Sequence, residues 1–122
     1  VKAVKIKNLR RWRRTNRIRK KLRGCQAVPR LSVFRSNKHL MCQLIDDESG
    51  RTLASASTRE KALQSEIGYG GNVEAAKKIG TILAQRALAA GIQNCRFDRG
   101  PYRYHGRVAE IANAAREGGL QF

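Results

Sequence analysis

The first 23 residues, VKAVKIKNLRRWRRTNRIRKKLR, contain no aspartate or glutamate. Twelve lysines and arginines with nothing to neutralise them repel one another, so the stretch is expected to be disordered by itself. Such a segment calls for a polyanionic partner. No apolar run approaches the roughly 20 residues that span a bilayer, so no membrane anchor is expected. The cysteines are three, Cys25, Cys42 and Cys95, an odd number at spacings that fit neither a disulfide framework nor a zinc site. They read as small semi-buried thiols in a reducing compartment. His39 and Cys42 lie three apart in a strand-like stretch, face opposite sides and cannot share a metal. There is no G-x-S-x-G elbow, and the phosphate-loop-like GYGGN lacks the G-K-[ST] of a nucleotide site. Asp98 and His105 would be the acid-base pair of an enzyme, but no second carboxylate or activated serine accompanies them. Asp98 reads instead as the partner of Arg99 or Arg103, ordering its loop. No catalytic residue, metal or cofactor is expected.

What is present is charge: 122 residues with a net +17 and a pI near 11.1. The arm holds 12 of 26 basic residues, which leaves 14 basic and 9 acidic residues, net +5, for the other 99 positions. This is a moderately basic domain with a very basic arm. If the arm is helical, Ile6, Leu9 and Trp12, then Ile18 and Leu22, make only broken apolar stripes, short of the full face a membrane-surface helix needs. Arginine outnumbers lysine there, and its planar fork suits phosphate. Nucleic acid is therefore favoured over membrane. Transit peptides are serine-rich as well as basic, and no serine precedes Ser32.

Composition shifts at GCQAVPR, which places the boundary near residue 29: a basic arm, 1–29, and a domain, 30–122. RLSVFRS alternates with Leu31 and Val33 on one face, and HLMCQLID with Leu40, Cys42 and Leu44 on one face. SNK joins them as a hairpin, Ser49-Gly50 makes a second turn, and TLASAST is a third strand. REKALQSEI is a short helix. Asn72 caps a longer one whose apolar face is Val73, Ala76, Ile79, Leu83, Ala87 and Ala90, with Glu74, Lys78, Thr81 and Gln85 opposite. Gly91 ends it, IQNCRFD is a strand over 92–98, and a last helix from about Gly106 buries Val108, Ile111, Ala112 and Ala115 before Gly118-Gly119. The order βββ-α-α-β-α implies a crossover returning to the same sheet: a single α/β domain with a mixed β-sheet and packed helices.

Two loops carry candidate binding chemistry. FDRGPYRYHGRV, 97–108, sets Arg99, Arg103, Arg107, Tyr102, Tyr104 and His105 around a Gly-Pro turn at the start of a helix. The dipole there disfavours cations, so Arg103 and Arg107 suit an anion such as phosphate. The aromatics suit stacking on unpaired bases, although either tyrosine could equally cover the core edge. The hairpin tip FRSNKH offers Arg35, Ser36, Asn37, Lys38 and His39 for phosphate or ribose hydroxyls, or is an ordinary polar turn.

Taken in order, PRLSVFRSNKH, ASAST, FDRGPYRYHGRV and IANAAREGGLQF resemble the bacterial-type large-subunit ribosomal protein eighteen family, from about Pro29 to Phe122; over the arm only basicity is shared. The resemblance implies a structural constituent of the large ribosomal subunit that binds 5S ribosomal RNA and helps attach it to the large-subunit RNA in the central protuberance. It implies a neighbour in the five-type ribosomal protein, and site residues at Arg35, Ser36, Asn37, Lys38, His39, Arg99, Tyr102, Tyr104, His105, Gly106 and Arg107. To these the charge pattern adds Arg103 and, in the arm, Arg10, Arg11, Arg13, Arg14, Arg17, Arg19, Lys20 and Lys21. The tail resembles the plastid and cyanobacterial members, and a start at Val1 is then expected from removal of a transit peptide, which favours the chloroplast stroma; a trimmed bacterial start in the cytoplasm is the alternative. Trp12 and the cysteines match nothing in the family pattern. The alternative function is an RNA chaperone or generic basic RNA-binding module, without preference for 5S RNA.

Overall fold

The computed structural model describes residues 2–21, 24–68, 70–100 and 102–122, and within these the side chains of all but 2, 3, 18–21, 65 and 66. The arm, expected to be disordered, is a helix, α1, over Lys2–Lys21. Arginine, lysine, leucine and alanine are strong helix formers, and neither glycine nor proline interrupts the run, so backbone preference prevails over side-chain repulsion. Val4, Ile6, Leu9 and Trp12 all stay exposed, Trp12 at 63%. The expected Ile18–Leu22 stripe lies outside the described side chains.

Beyond the arm, residues 24–29 return to the domain: the Gly24 amide donates to Asp47 Oδ2 at 2.7 Å and the Asp47 amide to the Gly24 carbonyl at 3.2 Å. Strands β1 (Arg30–Arg35), β2 (Leu40–Asp46) and β3 (Arg51–Ser57) form an antiparallel meander, and β4 (Arg96–Asp98) adds parallel to β1, in the order β3-β2-β1-β4. This is the expected mixed sheet. Alternation decides which side is buried: Leu31, Val33, Leu40, Cys42, Leu44 and Ala56 face the helices, while Ser32, Phe34, Met41, Gln43 and Ile45 share the other face.

Helix α2 spans Lys61–Ile67, α3 Val73–Ala89 and α4 Arg107–Glu117. Helix α3 lies on β2 and β3 and carries α4 against its flank. Asn72 caps α3 by accepting the Ala75 amide at 2.8 Å. The face α3 buries is Ala75, Ala76, Ile79, Gly80, Leu83, Ala84 and Ala87, whereas Val73 and Ala90, expected to be buried, are exposed. Both lie at helix ends that overrun the sheet. Val108, Ile111, Ala112 and Ala115 of α4 are buried as expected.

The strand expected over 92–98 is shorter. Gly91, at φ 82°, opens a turn in which the Ile92 amide bonds back to the Ala87 carbonyl at 2.9 Å and the Gly91 amide to Leu88 at 3.0 Å. That double closure is a Schellman motif, and it takes Ile92 for the helix end. Asn94 then forms only an isolated bridge with Gln121 before β4 begins. The same closure ends α4, where Leu120 bonds to Ala115 at 3.1 Å and Gly119 to Arg116 at 3.1 Å.

Candidate nucleic-acid interface

Because β1 and β4 run parallel, their C-terminal ends lie together, and the hairpin after β1 meets the loop after β4. The contacts are specific. Tyr102 sends its hydroxyl to the Arg35 carbonyl at 3.3 Å, and the Arg35 guanidinium lies 4.8 Å from the Tyr102 ring centroid. Arg107 donates to the Ser36 carbonyl at 2.6 Å. Arg99 closes its own loop by donating to the Tyr102 carbonyl at 3.2 Å. The two loops read separately in the sequence thus form one basic surface.

Within it the side chains divide. Tyr102 is half-buried and spent on the hairpin backbone, which is the core-edge reading in a stronger form. Tyr104 stands edge-on to Phe97, centroids 5.6 Å apart, and accepts from Arg116 at 3.3 Å, yet remains 44% exposed. Ser36 is committed to its turn, its hydroxyl accepting the His39 amide at 3.1 Å. The His39 ring meets Thr58 Oγ1 at 3.1 Å, so it braces the hairpin against β3. Asn37 and Lys38 are exposed at the tip, and Arg103 and His105 are exposed on the opposite loop. Gly106, at φ 57°, turns the chain into α4 with no side-chain cap. Pro101 lies outside the described residues.

Asp98 takes a different partner from the one expected. Buried completely, it accepts from Arg30 at 2.6 Å through Oδ2 and from the Gly100 amide at 2.8 Å through Oδ1. Arg30 and Asp98 belong to neighbouring parallel strands on the same sheet face, so the pair forms across the sheet, not within the loop. Arg30 also donates to Asp47 through Nε and a terminal nitrogen, both at 3.0 Å. The Asp47 hydrogen bonds, outweighing the desolvation that opposes them, hold the Arg30 guanidinium above its ordinary pKa. Bonds therefore run from Gly24 through Asp47, Arg30 and Asp98 to Gly100, connecting the root of the arm with the C-terminal loop. Sequence reading assigned Arg30 and Asp47 no role; the available signal was an arginine opening a strand otherwise built for burial.

In α1, Arg10, Arg13, Arg14 and Arg17 share one face at steps of three and four and border a common groove. Arg11 is turned about 100° from Arg10 by the helix period. The side chains of Arg19, Lys20 and Lys21 lie outside the described ones. Arg30, paired with Asp47 and Asp98, is interior and no part of this surface, and Arg86 makes a two-pronged pair with Glu60 at 3.0 Å in the C-terminal part of α3.

Comparison with known proteins identifies a family. The family described as ribosomal L18 of archaea, bacteria, mitochondria and chloroplast matches residues 5–122. Proteins named large ribosomal subunit protein uL18 are similar along nearly the whole chain. That of Halalkalibacterium halodurans is 55% identical over 117 residues, 96% of each chain. That of Acetivibrio thermocellus is 53% identical over 115 residues, 94% of each. That of Thermotoga neapolitana is 51% identical over 116 residues, 95% of each. A mixed sheet with its basic loops at one end, matched over residues 5–122 by one family, places the chain plainly: it belongs to the ribosomal L18 family.

Proposed function

We propose that the chain is a structural constituent of the large ribosomal subunit, not an enzyme, and that it grips 5S ribosomal RNA and helps join it to the large-subunit RNA. The observation that carries this reading is the fusion of the hairpin and the C-terminal loop through Tyr102 and Arg107 into one surface rich in fixed arginines. Structured RNA is selected by shape, through its wide minor groove, 2′-hydroxyls and unstacked bases, and a preorganised surface suits that task. Arg35, Ser36, Asn37, Lys38, His39, Arg99, Tyr102, Arg103, Tyr104, His105, Gly106 and Arg107 make up the proposed selective surface. Residues 1–29 act as the second unit, whose Arg10, Arg11, Arg13, Arg14, Arg17, Arg19, Lys20 and Lys21 bind phosphates without reading sequence. Neighbouring ribosomal proteins, the five-type protein among them, complete the proposed assembly. The ribosome is of bacterial type, in the chloroplast stroma or the bacterial cytoplasm; the bacterial relatives support the type and leave the compartment to the origin of the gene.

Competition between 5S ribosomal RNA and an unrelated folded RNA of equal length, across several salt concentrations, tests the reading. A preference for 5S RNA that survives high salt is expected. Loss of preference, with only a steep salt dependence left, would return the chain to the class of generic RNA binders.

A further inference from the structure

We infer that the loop end of the sheet contains a cavity built for one phosphodiester group of RNA, and that the start of α3 supplies one of its walls. This rests on the reading of the chain as an RNA binder and adds a contact that neither loop motif contains. The cavity, about 520 Å³, opens between the hairpin, the C-terminal loop and the residues that lead into α3. Arg35, Arg103, His105 and Arg107 line it on one side, Asn72 and Val73 on the other, and no aspartate or glutamate is among its described lining residues.

Its charge is uncompensated. Elsewhere in the domain Arg30 is paired with Asp47 and Asp98, and Arg86 with Glu60. Among the described residues the Arg107 side chain meets only the neutral Ser36 carbonyl inside the cavity, and that of Arg35 only a tyrosine ring. Among the described residues Arg103 has no ion pair. Three guanidinium groups facing one space repel one another, and a single anion with several acceptor oxygens relieves that repulsion and accepts from each. The backbone favours the same occupant. Asn72 takes the Ala75 amide, which leaves the earlier amides of α3 without an intrahelical acceptor, and α4 begins at Gly106 without a side-chain cap.

GYGGN thereby acquires a role without G-K-[ST]. A Cβ on Gly70 would meet the Lys38 carbonyl oxygen and the Thr58 side chain, each at 2.8 Å. Only glycine lets this segment lie against the hairpin and bring α3 to the cavity rim.

Val73→Glu in the full chain is the test. Val73 is 48% exposed at the first helical position, where a carboxylate suits the helix dipole, so the melting temperature should hold or rise. Affinity for 5S ribosomal RNA should fall about tenfold or more and the salt slope by about one unit, as expected for one lost phosphate. Gln85→Glu adds the same charge on an exposed face of α3, about 18 Å along the helix, and should change affinity by less than about twofold. Equal losses in the two variants, or none in Val73→Glu, would overturn the cavity while leaving a 5S preference of the unaltered chain intact. Absence of that preference in the unaltered chain would instead defeat the RNA reading. Amide spectra recorded with inorganic phosphate separate the sources: shifts at Val73 and Arg107 without any effect of Val73→Glu on RNA binding would make this a free-anion site and overturn the phosphodiester assignment.

Discussion

In α1 the arginines at 10, 13, 14 and 17 stand on an exposed face without a hydrogen bond or ion pair among the described residues, whereas at the loop end of the sheet Arg35, Arg99 and Arg107 each rest on a tyrosine ring or a carbonyl. Both regions offer positive charge, but they differ in when side-chain freedom is lost. Ordering a long basic side chain costs up to about 2 kcal/mol. The arm must meet that cost at the moment of binding, while the loop arginines have met it during folding. Mobile charge adapts to any phosphate array; fixed charge accepts only an array of matching shape. The proposed division between general attraction and selection rests on this difference in order, not on charge density.

The comparison breaks most visibly if the arm is removed. Deleting residues 1–23 should weaken RNA binding at low salt and flatten the salt slope by several units, at roughly 0.7–0.9 for each phosphate no longer neutralised. Preference for 5S RNA should persist; its loss with an unchanged slope would reverse the assignment of the two regions. Arg30→Met acts on the fixed side. It strands Asp98 and Asp47 without their shared cation, which for a buried pair costs about 3–5 kcal/mol, and should lower the chemical denaturation midpoint accordingly. A variant as stable as the parent would deny the network its structural weight. Replacing Tyr104, His105 and Arg107 together by alanine should reduce the 5S preference about tenfold or more with most arm-driven binding retained, provided circular dichroism shows the fold intact. The finest test is Tyr102→Phe, which deletes one hydroxyl between loops and should cost about 1 kcal/mol of stability and a smaller part of the selectivity. No change in either would mean that Arg107 and the packing of Arg35 on the ring hold the loops together without the hydroxyl.

Much of this was legible because local patterns and tertiary packing agree. Period-two alternation in β1 and β2 named Leu31, Val33, Leu40, Cys42 and Leu44 correctly, since a one-sided sheet enforces it. Asn72, Gly91 and Gly118-Gly119 marked helix ends because cap chemistry is local. What escaped depended on pairs distant in the chain. Asp98 was given to its sequence neighbours when its cation lay 68 residues away, on the adjacent strand. Ile92 looked like strand but serves a helix end, and Val73 looked like core but lies past the sheet. The conformation of the arm was not legible, because its net charge argues for disorder while its intrinsic backbone preference argues for helix. The binding surface itself was half visible: both loops were identified, but their joining through Tyr102 follows from strand order, which composition does not express.

The bond from Gly24 to Asp47, and through it to Arg30, has a consequence for reach. It anchors the arm at the Arg30 end of β1, and the six residues of that strand separate the anchor from the hairpin by about 20 Å. A 20-residue helix extends about 30 Å from its root. If the loops hold one RNA surface as proposed, an arm rooted at that anchor makes the second capture an intramolecular event, at an effective concentration in the millimolar range. On the proposed reading, a protein mounted this way would serve as a spacer with a tether, holding a first RNA element at a set distance while a second is drawn in.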